Sequence, residues 1–300
     1  MTEIAPICSS SFGNLGAMCE AGNGLATATG IVLTTDSFSF ANATEFATLS
    51  KWQDAVKAKQ IFPLMGIMET DDNTEEVSYY ESPQGSKVKL RDGKYIYTYK
   101  FYLSLAQHKE LQKFSSAKLR YFIIDAKNQI RGYSPDGTEI KGYSIQTFEA
   151  EKMQPASADT PAFSPISIVE QNASQWNGFG AVISPNWEAE GLSSLTNVDL
   201  SIVGTPSATT IVVNVGAKIG LNPDGSDSLV AITGIAPADF VVLKATDGST
   251  QTVTYVDNGD GTYTGTGTSL VSGSVNLKAP SAMASSGLLI ESTGAVDFTI

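Results

Sequence analysis

The stretch "YVDNGDGTYTGTG", Tyr255 to Gly267, places two aspartates and an asparagine among four glycines. This composition is compatible with a calcium loop or with a turn between two strands. An EF-hand loop that began at Asp257 would need side-chain oxygens at its third and fifth positions, where this chain has Gly259 and Gly261. Its twelfth position would be Thr268 instead of glutamate. The spacing therefore excludes an EF-hand.

Polar and apolar residues alternate on both sides of these glycines, in "QTVTYVD" and again in "TYTGTGT". Alternation with a period of two is typical of a half-buried strand. Asn258 and Gly259 tolerate the positive φ angles that tight hairpin turns require. The stretch therefore predicts two antiparallel strands joined by a short turn.

Similar short apolar runs recur from "VDLSIVG" to "AVDFTI" and are separated by turn residues, which predicts an all-β sandwich over residues 196–300. The composition also changes before this region. Residues 1–190 contain 22 acidic and 16 basic residues, whereas residues 191–300 contain 9 and 3. We therefore expect a domain boundary within "EAEGLSSLTNV", Glu188 to Val198.

Residues 1–30 are rich in Gly, Ala, Ser and Thr and are predicted to form a flexible arm. The arm has no basic start followed by an apolar segment, so we expect no secretory signal, and we expect folding in a cytoplasm. It contains the two cysteines, Cys8 and Cys19. Without neighbouring histidines they are expected to be reduced thiols, and a disulfide formed after release from the cell is the alternative. We also expect no membrane span.

Residues 31–192 are predicted to form an α+β domain. A strand begins at Gly30, and an amphipathic helix follows over residues 43–59, with Asn42 and Glu45 as a capping box and Pro63 as its stop. Ser104 and Gln107 fit the start of a second helix.

Strands are expected in the rest of this domain. The segment "KVKLRDGKYIYTYKFYLSL" predicts a hairpin that turns at Arg91–Lys94, and a β-meander and a short strand, Ile166 to Glu170, follow. The acidic run from Glu69 to Glu76 is expected to be the solvated, mobile tip of a loop.

Few residues indicate chemistry. His108 is the only histidine, lies on a predicted helix, and is expected to be at the surface or at a helix end. Asp71, Asp72, Glu75 and Glu76 lack the turn glycine of a calcium loop. Neither a phosphate-binding loop nor a nucleophile elbow is present. We therefore expect no enzyme, no cofactor and no bound metal.

The run "VTYVDNGDGTYTGTGTSLVSGSVNL" resembles bacterial and phage immunoglobulin-like repeats, in which an Asn-Gly-Asp-Gly-Thr-Tyr turn commonly joins two late strands. The resemblance covers roughly residues 196–300 and implies a spacer or adhesive module without catalytic residues. The layout of residues 1–190, with an arm, a helix, a long acidic loop, hairpins and a meander, resembles the tail tube proteins of tailed bacteriophages. Those proteins often carry an immunoglobulin-like domain on the outside of the tube.

The second resemblance implies hexameric rings whose central sheets join into one barrel and whose arm and long loop contact the next ring. It also implies an acidic inner wall, and the net charge of −12 agrees with a conduit through which DNA passes without binding. The fold expected is mainly β, with an N-terminal α+β domain built on a sandwich or barrel sheet and a C-terminal immunoglobulin-like sandwich.

The function expected is that of a virion structural protein, assembled in the cytoplasm of a host bacterium and in contact with other virion proteins. The alternatives are a capsid decoration, neck or head-fibre protein and a carbohydrate-binding adhesin module. The residues predicted to contact another subunit are Asp71, Asp72, Glu75, Glu76, Tyr79 and Tyr80.

Overall fold

The computed structural model describes residues 26–177, 180–221, 227–285 and 287–300. Within these ranges the chain is mainly β, as predicted, and forms two compact units with a boundary between Ser193 and Ser194. The predicted arm lies largely outside the described residues, together with Cys8 and Cys19. Its last three residues instead belong to the first strand, which begins at Ala28.

The described part of the first unit contains eleven strands, which are β1 (Ala28–Thr35), β2 (Ile61–Met65), β3 (Ile67–Asp72), β4 (Ser78–Glu81), β5 (Lys87–Arg91), β6 (Ile96–Phe101), β7 (Leu119–Asp125), β8 (Ile130–Tyr133), β9 (Tyr143–Ala150), β10 (Ser164–Glu170) and β11 (Gly180–Ile183). Its helices are α1 (Ala43–Phe46), α2 (Leu49–Lys57), α3 (Leu105–Gln112) and α4 (Ser174–Asn177), with short 3-10 turns at Lys113–Ser116 and Ala189–Gly191.

Strand β9 joins two sheets of the first unit. Its first residues, Tyr143 and Ser144, pair with β7, which also pairs with β1 and β8; β2 and β11 extend this first sheet at its edges. The residues from Ile145 to Ala150 pair instead with β10, which continues to β6 and β3 in the second sheet. The predicted meander β7–β8–β9 is therefore present, but its last strand leaves the first sheet for the second.

The core of the first unit lies between these two sheets. Ile31 and Leu33 on β1 and Tyr121 on β7 pack in one cluster with Tyr99 on β6 and Ile166 on β10. Alternation places the remaining residues of β1 and β7 on the opposite face of the first sheet. There Phe122 packs against an aromatic cluster from the helical region that comprises Phe40, Phe46 and Trp52, with ring centroids 5.2–6.0 Å from that of Phe122.

The segment 43–59, which was predicted to be one helix, forms two helices, because two of its backbone carbonyls accept hydrogen bonds from tryptophan side chains. The Phe46 carbonyl accepts a hydrogen bond from the Trp52 indole N–H at 2.7 Å, and the Ala47 carbonyl accepts one from Trp187 at 2.9 Å. The predicted cap at Asn42 is confirmed, since its side chain accepts the Glu45 N–H at 3.0 Å. Glu45, however, accepts a hydrogen bond from the Ala41 N–H instead of that of Asn42.

The end of the second helix and the start of the third also bear on the predictions. α2 ends at Lys57, before the expected stop at Pro63. The capping box predicted for α3 is confirmed, with Ser104 as N-cap and Gln107 as its reciprocal partner.

The prediction of a hairpin turn at Arg91–Lys94 is wrong. β5 pairs with β4, and the turn lies at Ser82–Ser86, where the Ser82 N–H donates to the Ser86 carbonyl at 2.9 Å. Gly93 instead marks a close approach of two strands, because a Cβ atom there would lie 1.8 Å from the Glu75 carbonyl oxygen. The expected loop at Glu69–Glu76 is also wrong in its first half, since residues up to Asp72 belong to β3.

The described part of the second unit contains nine strands, which are β12 (Thr196–Val203), β13 (Thr210–Leu221), β14 (Asp227–Ala231), β15 (Phe240–Lys244), β16 (Thr254–Asp257), β17 (Thr262–Thr266), β18 (Gly273–Leu277), β19 (Ile290–Ser292) and β20 (Val296–Phe298). Its helical residues are the 3-10 turns Pro237–Asp239 and Pro280–Ala282.

These strands form a two-sheet sandwich with immunoglobulin-like topology. One sheet contains β12, β13, β17 and β16 as neighbours, and the other has the order β15-β18-β20. With β14 and β19 set aside, the chain order matches strands A, B, E and D of the constant-type fold in one sheet and C, F and G in the other. Between them, Phe240 on one sheet stacks on Tyr255 of the other with ring centroids 4.2 Å apart.

The Asp-Gly stretch is a hairpin turn between β16 and β17, as predicted, and its aspartates hold the turn. Asp257 accepts the Gly259 N–H at 2.8 Å, and Asp260 accepts the Thr262 N–H at 2.9 Å. Gly259 and Gly261 both have positive φ, at 81° and 87°. The carboxylates therefore satisfy backbone donors of the turn.

Candidate interaction surface

A two-stranded ribbon extends from the second sheet of the first unit. Pairing between β3 and β6 continues beyond Asp72, because the Asn73 N–H donates to the Ile96 carbonyl at 2.8 Å and the Glu75 N–H to the Lys94 carbonyl at 2.9 Å. The two chains then continue as the β4–β5 hairpin. Because the ladder is nearly continuous, the hairpin is held to the sheet by backbone hydrogen bonds.

The hairpin lacks a core of its own. Every residue of β5 is exposed, and on β4 only Ser78 is partly covered. Tyr80 on β4 lies directly opposite Val88 on β5, and Leu90 lies two residues further along β5. The exposed fractions of Tyr80, Val88 and Leu90 are 54%, 56% and 64%. A two-stranded hairpin is marginal by itself in water, so an exposed apolar face of this kind is typical of a surface that a partner covers.

The opposite face of the hairpin is charged. It carries Tyr79, Glu81, Lys87 and Lys89, with Glu81 and Lys87 forming an ion pair at 3.7 Å. Lys89 also pairs with Asp92, and this contact raises the pKa of Lys89. Ion pairs this exposed contribute little to stability. The two faces of the hairpin therefore differ in chemistry, with one apolar and one charged.

Of the six residues predicted to contact another subunit, Glu75, Glu76, Tyr79 and Tyr80 lie on this ribbon, and Asp71 and Asp72 are the last two residues of β3, from which it extends. Three of the six make contacts that stabilise the local structure. Asp71, at the end of β3, pairs with Lys100 at 3.0 Å. Asp72 accepts the Thr74 N–H at 2.9 Å, and Glu75 faces Arg91 at 3.6 Å.

The other three are placed towards solvent. Glu76, Tyr79 and Tyr80 are exposed, the last two by more than half. A cavity of about 620 Å³ at the base of the hairpin is lined in part by Glu75, Glu76, Tyr79 and Lys89. The structure thus brings the predicted residues together along the end of β3 and the ribbon.

A second surface lies on the side of the β9–β10–β6–β3 sheet that faces away from the core. One cross-strand row contains Glu149, Ser167, Thr98 and Asp71. The adjacent row adds Glu69, which pairs with Lys100 at 3.0 Å. These residues include three carboxylates and one lysine, so this face of the sheet is acidic.

The expectation that His108 lies at the surface is wrong. The His108 side chain is only 3% exposed, and its Nδ1 atom has no hydrogen-bond partner among the described residues. Its Nε2 atom lies 3.4 Å from the Gln112 amide nitrogen, one turn further along α3. Alternating polar residues around His108 gave no sign that it faces inward, because the weakly amphipathic sequence of α3 leaves its buried side ambiguous.

Glu170, the last residue of β10, is a buried carboxyl that was not among the predicted site residues. Its side chain is 3% exposed and accepts hydrogen bonds from the Tyr121 hydroxyl and from the Trp176 indole at 2.6 Å. Burial raises the pKa of Glu170 to about 7, against these two hydrogen bonds, which lower it. Its position could have been predicted, since Glu170 shares the parity of Ile166 and Ile168, which point into the core.

The described residues contain no group of three or more His, Cys, Asp or Glu side chains placed to hold a metal ion. Among them there is also no helix that is both long and apolar enough to span a membrane. No protein-family model matches the chain, and no curated protein matches it.

Proposed function

We propose that this protein is a virion structural protein that assembles into rings, and that the rings stack into the tail tube of a bacteriophage. The observation that carries the proposal is the β9–β10–β6–β3 sheet. Within the described part of the chain, β3 pairs only with β6, and β9 from Ile145 to Ala150 pairs only with β10, so the sheet has an unpaired edge at each end there. A sheet with two free edges can join copies of itself side by side and close into a barrel.

The charge of this sheet supports the same proposal. Its outward face carries Glu69, Asp71 and Glu149 against Lys100 alone. If the sheets of six subunits close into a barrel with this face inward, the lumen is acidic and repels DNA phosphates. Genomic DNA then passes without sequence-specific binding.

The β4–β5 hairpin supplies the contact between rings in this proposal. Its apolar face of Tyr80, Val88 and Leu90 becomes buried against the next ring, which removes an exposed surface that a monomer would carry. Of the six residues predicted from the sequence to contact another subunit, Glu75, Glu76, Tyr79 and Tyr80 lie beside this proposed contact, whereas Asp71 faces the proposed lumen.

One observation weighs against the adhesin alternative. Sugar-binding faces usually stack an exposed aromatic ring on the ligand. The second unit has four aromatic residues, and Phe240, Tyr255, Tyr263 and Phe298 are all buried, none more than 8% exposed.

Electron microscopy of the purified protein tests the proposal. We expect rings with a central lumen that stack into tubes. Val88→Asp, which places a charge on the apolar face of the hairpin, should abolish stacking. Lys87→Gln changes the net charge by the same amount on the opposite face and should leave stacking intact. A protein that stays monomeric at every concentration and salt level would contradict the proposal.

A further inference from the structure

Glu170 lies where the two sheets of the first unit meet. It ends β10 opposite Ile145, immediately after a bulge at Val169, and Ile145 follows the two residues of β9 that pair with the first sheet. The Gln171 N–H next to it donates to the Ser144 carbonyl at 2.9 Å. A change at Glu170 therefore acts on the joint between the sheets.

The two oxygens of Glu170 are unequal. Oε1 accepts hydrogen bonds from Tyr121 and Trp176, whereas Oε2 is inaccessible to solvent and has no partner among the described residues. A buried carboxylate with one unsatisfied oxygen is costly, and a proton on Oε2 removes that charge. The geometry therefore favours the neutral acid in the closed structure.

The groups around Glu170 cannot take over its charge. Those whose ionisation is coupled to it, or that touch it, are Tyr97 on β6, Tyr99 on β6, Tyr121 on β7, Tyr143 on β9 and Trp176 on α4.

Burial raises the pKa of each of these four tyrosines, that of Tyr97 to about 12, so all four stay neutral near pH 7. The cation that acts on these tyrosines is Arg131 on β8, which is paired with Asp125 and lowers the pKa of Tyr99 and Tyr143. The one further carboxylate that acts on this group is Asp72 on β3, which raises the pKa of Tyr97.

Helix α4 covers the carboxyl and is attached mainly by side chains. Trp176 stacks on Tyr143 with ring centroids 4.6 Å apart and planes inclined by 4°. The Gln175 amide accepts the Ser144 N–H at 2.8 Å and donates to its hydroxyl at 2.9 Å. β6, β7, β9 and β10, by contrast, are held by backbone ladders. Elements with few backbone bonds open first, so α4 is the element whose departure admits water to Glu170.

We propose that α4 is a proton-dependent latch over Glu170, which stays closed while Oε2 carries a proton and opens when that proton is lost. This property belongs to the first unit and does not depend on the proposed function.

Proton linkage determines whether raising the pH opens or closes the latch. In the closed structure the pKa of Glu170 is about 7, and in the open one it returns to its ordinary value near 4.5. The closed form therefore binds the proton more tightly, and raising the pH favours opening. Between about pH 4.5 and pH 7, the equilibrium constant for opening of the latch should rise about tenfold per pH unit, which is about 300-fold in all. Above pH 7 it should level off.

Hydrogen exchange of the Trp176 indole N–H, measured by NMR on the full chain from pH 5 to 8, tests the latch. After correction for intrinsic exchange, wild-type protection should fall with the stated pH dependence. In Glu170→Gln, which keeps the side-chain shape without an ionisable group, protection should not depend on pH. Equal pH dependence in the two proteins overturns the proposal. Equal loss of protection at Phe122 on β7 overturns it too, since that means global unfolding.

Infrared spectroscopy of the wild-type protein gives a second test that needs no variant. A protonated carboxyl band should persist at pH 6 and disappear near pH 7. Tyr121→Phe removes a hydrogen bond that lowers the pKa of Glu170, so it should move the loss of this band to higher pH. A band that is already absent at pH 6 overturns the proposal.

Discussion

Two of the Asp-Gly segments of the chain, "RDGK" at Arg91–Lys94 and "NGDGT" at Asn258–Thr262, lead to different structures. In the second segment the glycines have positive φ and form a tight turn between β16 and β17. In the first, Gly93 does not have a positive φ and lies so close to the Glu75 backbone that there is no room for a side chain. Glycine is thus needed at Asn258–Thr262 because it tolerates a positive φ, and at Arg91–Lys94 because it has no side chain.

The hairpins next to these segments, β4–β5 and β16–β17, also differ in what stabilises them. β16 and β17 each bury a tyrosine, Tyr255 and Tyr263, in the core of the sandwich. The β4–β5 hairpin leaves Tyr79 and Tyr80 more than half exposed. The β16–β17 hairpin is therefore stabilised within its own unit, whereas the β4–β5 hairpin has its apolar face free for a partner.

The largest effect we expect comes from removing a tyrosine from each hairpin. Tyr263→Ala should lower the free energy of unfolding of the second unit by about 3–5 kcal/mol, because the side chain is fully buried. Tyr80→Ala should change that of the first unit by less than about 0.5 kcal/mol.

Denaturant titration distinguishes the two units, because all three tryptophans, Trp52, Trp176 and Trp187, lie in the first. Tryptophan fluorescence follows the first unit, and far-ultraviolet circular dichroism follows both. A large loss for Tyr80→Ala in the isolated monomer would mean that the hairpin has a core that the structure does not show.

Glycine substitutions give an intermediate effect. A Cβ atom at Gly261 would lie 2.7 Å from that of Ala231, whereas one at Gly259 would meet nothing within 4 Å. Gly259→Ala should cost about 1–2 kcal/mol for the left-handed backbone alone. Gly261→Ala should cost about 1–3 kcal/mol more, for crowding in addition. Thermal unfolding of the two variants compares them, and equal losses would contradict the role of Ala231.

The smallest effect should come from the exposed ion pairs of the ribbon. Arg91→Gln removes the partner of Glu75, and Lys87→Gln removes that of Glu81. Both pairs are more than a third exposed at each side chain, so each substitution should change the free energy of unfolding by less than about 0.5 kcal/mol. Denaturant titration at low and high salt measures this, and a loss above about 1 kcal/mol would show that the charges form a cooperative network.

The sequence by itself determined local features whose signals lie within a few residues. The alternation around Tyr255 and Tyr263 predicted the β16–β17 hairpin, and the spacing of Ser104 and Gln107 predicted the start of α3. Caps and tight turns are formed by neighbouring backbone groups, so they depend little on the rest of the fold.

Only the tertiary structure decided the features that depend on distant contacts. Trp187, far along the chain, donates a hydrogen bond to the Ala47 carbonyl and so helps to divide the helix predicted at residues 43–59. Gly93 lies against Glu75, so its role depends on a contact with a distant part of the chain that no local pattern records. Glu170 is held by Tyr121 and Trp176 because β9 passes from one sheet to the other. Long-range pairing fixes which partners a buried polar group finds, and a single chain segment carries no signal of its distant partners.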